Sequence, residues 1–73
     1  MKHPKFVICI ENAGYPASLE KRKIYEAFPD SSAAKTGQIR VIDESGEDYL
    51  YPAKYFIDAK LSKETQAAVA KAA

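Results

Sequence analysis

Gly37-Gln38-Ile39-Arg40-Val41-Ile42-Asp43-Glu44-Ser45-Gly46-Glu47-Asp48-Tyr49-Leu50-Tyr51-Pro52-Ala53-Lys54-Tyr55-Phe56 is the stretch that decides the fold. Residues 38–43 and 48–51 are two runs of alternating β-branched and aromatic side chains, and the Glu44-Ser45-Gly46-Glu47 between them supplies turn dihedrals. A β-hairpin follows, with Gly46 expected at positive φ. Pro52 cannot donate to a ladder and interrupts the returning strand, after which residues 56–59 form a short last strand.

Upstream, Phe6-Val7-Ile8-Cys9-Ile10 reads as a first strand that is apolar on both faces and ends at the turn formers Asn12-Ala13-Gly14. Tyr15-Pro16-Ala17 continues as an irregular loop because Pro16 fixes its own φ and biases Tyr15 away from helix. Residues 23–28 read as a second strand, with Ile24, Glu26 and Phe28 on one face and Tyr25 and Ala27 on the other. A helix over residues 19–27 competes, since Leu, Glu, Lys and Arg all favour one. Pro29-Asp30-Ser31-Ser32 offers an N-cap and Gly37 a C-cap, which predicts a single helical turn over residues 32–36. Ser62 caps a final helix over residues 63–71. Its apolar content is Val69 and alanines, so little area is available to bury and a frayed end is expected.

At 73 residues the chain is one domain, here divided as a β unit over 1–61 and a helix or tail over 62–73. Hydrophobic residues at 47% and charged residues at 29% are the balance of a globule with a core. Eleven Lys plus Arg against ten Asp plus Glu leave a formal charge of +1, so no global field holds a polyanion and any nucleic-acid role needs a local patch. The one cysteine excludes an intramolecular disulfide and a multi-thiolate zinc site, which points to a reducing, cytoplasmic setting. The apolar run at residues 6–10, preceded by Lys2 and Lys5, is too short for a membrane span or a signal peptide.

Five short strands with a hairpin third and fourth, then a Pro-started turn, give a sequence that resembles the SH3-like barrels. The stretch from Gly37 to Phe56 resembles the SH3 segment that runs through the distal hairpin to a Pro-x-x-Tyr-Val signature, here Pro52-Ala53-Lys54-Tyr55-Phe56, and residues 23–28 resemble the strand after the long first loop. Small bacterial SH3-like proteins are similar as well, sharing the run that ends in Tyr-Leu-Tyr-Pro. The resemblance implies an all-β, five-stranded SH3-like barrel with a short C-terminal helix. It also implies a non-enzymatic binding module for a protein segment, in which Pro52 and Tyr55 line a groove with Leu50. The chain contains no Trp, the residue that SH3 grooves place on the third strand.

Side chains of chemical interest are few. Cys9 in an apolar strand acts as a small hydrophobe, and its only imidazole neighbour by type, His3, stands next to a terminus, so no nucleophilic dyad, metal site or cofactor is expected. Asp43, Glu44, Glu47 and Asp48 bracket the hairpin turn without the alternating oxygen pattern of a calcium loop, and are expected to be solvated. Lys21-Arg22-Lys23 is the basic run; it is a solvated loop or, as the alternative function, a phosphate-contacting patch of a nucleic-acid accessory barrel. A structural, dimer-forming protein is the third class, with a monomer or weak homodimer expected. Tyr15, Tyr25, Tyr49, Tyr51 and Tyr55 are many for this length, and tyrosine is enriched at binding surfaces. Tyr51 aligns with an aliphatic core position of the resembled family. Tyr15, Leu50, Pro52 and Tyr55 are therefore the candidate contact residues.

Overall fold

β1 (Lys5–Cys9) and β2 (Ile24–Phe28) pair antiparallel with Ile8 opposite Ile24, and alternation sends Val7, Cys9, Tyr25 and Ala27 to one side of the sheet. The computed structural model describes residues 5–72. A helical turn, α1 (Ser31–Lys35), follows β2, and β3 (Gln38–Ile42) and β4 (Asp48–Pro52) form the hairpin. One turn of 3-10 helix over Ala53–Tyr55 leads into β5 (Phe56–Asp58), and α2 (Lys63–Ala72) ends the described chain. All pairings are antiparallel, in the order β4-β3-β2-β1-β5.

The local signals act as their chemistry requires. One Asp30 carboxylate oxygen caps α1 by accepting from the Ala33 amide at 3.0 Å, while the other accepts from Arg40 Nε at 3.0 Å. Arg40 reaches on to Asp48 at 3.0 Å, so one guanidinium ties the helical turn to both strands of the hairpin. Gly37 and Gly46 sit at φ +72 and +84, where a side chain is strained. Because no atom lies within 4 Å of a Cβ built on Gly46, the strain there is purely of the backbone. Gly46→Val is expected to lower stability by about 1–2 kcal/mol in urea unfolding, and Gly46→Asn by less, since Asn tolerates that region.

The core cluster is Val7, Cys9, Leu19, Tyr25, Ala27, Val41, Tyr51 and Phe56, with Ile39 and Tyr55 packed against it. Four strand spacings separate β4 from β5 along the sheet, about 19 Å if it were flat. Yet the Tyr51 and Phe56 ring centroids lie 6.4 Å apart. The sheet therefore curls until its two edges share one core. Among the described residues no ladder joins β4 to β5, so the closed barrel expected from the sequence is, in hydrogen-bond terms, a curled open sheet. The 3-10 turn spans that seam, where the Ala53 amide donates to Gly37 O at 2.9 Å and the Ile10 amide to Tyr55 O at 2.8 Å.

Boundaries move by about a residue: α1 lies one residue earlier than expected, β5 stops at Asp58, and Pro52 does not interrupt β4 but ends it, paired with Gln38 at the last rung of the hairpin. β1 stops at Cys9 rather than Ile10, which is 48% exposed, and β2 starts at Ile24, one residue later than expected, because Arg22 adopts φ +75 just before it. α2 is formed through Ala72, with the Ser62 hydroxyl accepting from the Thr65 amide at 3.1 Å. None of its described residues is buried. No helix among the described residues is long and apolar enough to cross a membrane.

Candidate functional site

The loop between β1 and β2 is built by its own polar groups. Glu11 accepts at one carboxylate oxygen from the amides of Asn12 and Ala13, both at 3.0 Å, and the Tyr15 amide donates to Asn12 O at 2.8 Å across Gly14, which has φ +89. The loop is anchored from below by Leu19, only 1% exposed, and by Asn12 Nδ2, which donates to Leu19 O at 3.0 Å. Its link to the hairpin is the Glu44 amide donating to Ser18 O at 3.0 Å.

That framework sets three tyrosines together. The Tyr15 ring stands edge-on to Tyr51, with centroids 4.9 Å apart at 88°, and lies 6.2 Å from Tyr55 at 68°. The Tyr55 hydroxyl, carried on the 3-10 turn after Pro52, donates to Ala13 O at 2.8 Å. Tyr51 is buried, Tyr55 and Pro52 are half-buried, and Tyr15 remains 39% exposed. Edge-to-face contacts of this kind add about 0.5–1.5 kcal/mol per pair beyond area burial. The result is a fixed, exposed phenol on a rigid support.

The other candidates lie elsewhere. Leu50 alternates with Tyr51 and so projects from the opposite face of β4, in register with Arg40 and away from Tyr15. Lys21 and Arg22 are exposed, but the Lys23 ammonium sits 2.6 Å from Glu44 Oε2 and 5.7 Å from the centre of the Tyr25 ring. The basic run thus has one cation neutralised. His3 lies outside the described residues. Cys9 is fully buried with Sγ–H directed at Glu11 O, and burial pushes its thiol up from 9.0. Among the described residues no three His, Cys, Asp or Glu side chains group as ligands for a metal ion.

The expectation of a solvated acidic turn fails for Asp43, while Glu44, Glu47 and Asp48 are exposed. Asp43 is 7% exposed and accepts from the Ser45 amide at 2.8 Å, from the Ser45 hydroxyl at 2.5 Å and from the Tyr51 hydroxyl. Burial alone raises its pKa, but these donors outweigh burial and hold it below 3.8. Its neighbour Glu44 accepts from Lys23 and from the Tyr25 hydroxyl, the latter at 2.5 Å, and is lowered from 4.5. Two consecutive carboxylates therefore satisfy the two core tyrosines whose rings flank Phe56. The signal was present in the sequence, because alternation sends both rings inward and a buried tyrosine hydroxyl requires a partner.

These pairs carry a consequence at high pH. Burial first, and then Asp43, push the Tyr51 phenol up to about 12, and burial with Glu44 raises Tyr25 well above 10. Raised folded values mean that the stability they contribute is complete below pH 10 and is lost as pH rises through about 12. Absorbance at 295 nm should therefore show a late tyrosinate phase coincident with loss of the far-UV dichroism. Tyr51→Phe should remove that phase for one ring.

Comparison with protein-family models, with curated proteins and with solved structures gave no match.

Proposed function

We propose that this chain is a small non-enzymatic module of the SH3-like kind that binds a segment of another protein across Tyr15, Pro52 and Tyr55. The observation that carries the reading is Tyr15, which is 39% exposed although its ring is held against Tyr51 and Tyr55. A ring already fixed by its neighbours loses little rotamer freedom on contact, and an aromatic surface of this type suits proline and other apolar side chains. The strand order and the 3-10 turn after Pro52 support the SH3-like assignment. Leu50 drops out of the contact surface, since it faces the other way. The nucleic-acid reading has Lys21 and Arg22 left to support it once Lys23 is engaged by Glu44.

Amide shifts of the labelled protein, followed during addition of a synthetic peptide rich in proline and apolar residues, test the proposal. Expected are shifts at Gly14, Tyr15, Ala53 and Tyr55 that Tyr15→Ala abolishes without unfolding the chain. Shifts at Lys21 and Arg22 on addition of a single-stranded oligonucleotide, weakening steeply with salt, would favour the alternative and displace this one. A dimer in sedimentation with no response to either probe would favour a structural role.

A further inference from the structure

On the other side of the sheet from Tyr15, Phe6 is 7% exposed yet stands outside the core cluster. Across a cleft from it stands the C-terminal helix. Phe6, Ile24 and Ile42 form the floor of a cleft of about 380 Å³ whose roof is Val69, Ala70 and Ala72 of α2. The cleft is open to solvent, and Val69 is the one side chain larger than alanine that α2 contributes to it. The helix itself has no buried residue, and ten residues are marginal as a helix without packing. The cleft accepts a helix but is poorly matched to this one.

Its charge is one-sided. Glu26, Asp43 and Glu44 line it against the single cation Lys23. Lys23 and Glu44 neutralise each other and Asp43 is turned to Tyr51 and Ser45. Glu26, half-buried in the floor strand, has no ion pair or side-chain hydrogen bond among the described residues. We propose that this cleft receives one amphipathic helix of a partner protein, with leucine-sized side chains over Phe6, Ile24 and Ile42 and a lysine or arginine against Glu26, and that α2 is the displaceable helix that covers it meanwhile. This is the helix-in-groove mode of recognition, with the anchor spacing of i, i+3 and i+4. It is independent of the Tyr15 surface.

The probe is a synthetic helical peptide with leucine at that spacing and lysine on the flanks, added to the full labelled chain, beside a twin carrying glutamate for lysine. Expected are amide shifts at Ile24, Glu26, Ile42 and Ala70, with the glutamate twin weaker by about tenfold or more. Glu26→Lys should reverse that preference. Ala70→Leu, which fills the cleft from the chain's own helix, should raise the melting temperature and weaken peptide binding by a similar factor. Absence of shifts at these residues, equal binding of the twins, or Ala70→Leu that melts lower and binds unchanged would overturn the proposal. Should Ala70→Leu fail to fold, Glu26→Lys with the two peptides still decides it. Concentration-dependent shifts at the same residues without peptide would overturn it too, assigning the cleft to a second copy of the chain.

Discussion

Phe56→Ala is expected to unfold the chain or nearly so, whereas Tyr55→Ala, one residue earlier, leaves it folded. Phe56 is 7% exposed and its ring meets both Tyr25 and Tyr51 at 6.4 Å, so it is the group through which the two ends of the curled sheet touch. Truncating a buried Phe costs about 3–5 kcal/mol, and a domain of this size is held by about 4–10 kcal/mol in total. Tyr55 packs on the rim of the core and holds Ala13 through its hydroxyl, which places its loss at about 1–2 kcal/mol, somewhat more than a free groove residue would show. Thermal melts of the two variants test the contrast. Equal damage would make Tyr55 a core residue and weaken the case for an aromatic contact surface.

Asp43→Ala is expected to lower stability by about 2–4 kcal/mol, the second largest loss, because it strips the partner from the buried Tyr51 hydroxyl and removes the acceptor that ties both Ser45 donors into the turn. Tyr51→Phe in the Asp43→Ala background should recover part of that loss, since it removes the stranded hydroxyl. The same pairing predicts the acid limb. Asp43 and Glu44 titrate below 3.8 and 4.5, so the stability they contribute is present above those values and is lost as pH falls through and below them. Urea midpoints measured between neutral pH and pH 3 should therefore decline mainly below about 4.5 in the parent. The decline should be shallower in Asp43→Ala.

How much of this was legible in the sequence depends on whether the controlling interaction is local. The β3 and β4 hairpin, the cap at Asp30, the stop at Gly37 and the inward face of β2 are set by φ preferences and by a two-residue period, both written in consecutive side chains. The acidic turn was misread because exposure is not a local property. Asp43 is a polar residue beside a glycine turn, and only the approach of Tyr51 from the next strand makes it a buried acceptor. Leu19, the most enclosed residue of its loop, carried no periodic signal for the same reason.

The candidate site divides along that line as well. Tyr15, Pro52 and Tyr55 could be chosen from the sequence as residue types, and Leu50 equally so. Their grouping was a matter of the curl of the sheet, which brings the first loop onto the 3-10 turn and sends Leu50 to the far face. The cleft beneath α2 had no counterpart in the sequence, where the helix read only as a poor burier of area. By itself the sequence determined the strands, their turns and which face of each is apolar, since these follow from backbone sterics and alternation over a few residues. The tertiary structure decided which edges meet, which carboxylate loses water and which tyrosine stays exposed, because burial and ring contact depend on groups far apart in the chain whose proximity no short-range preference encodes.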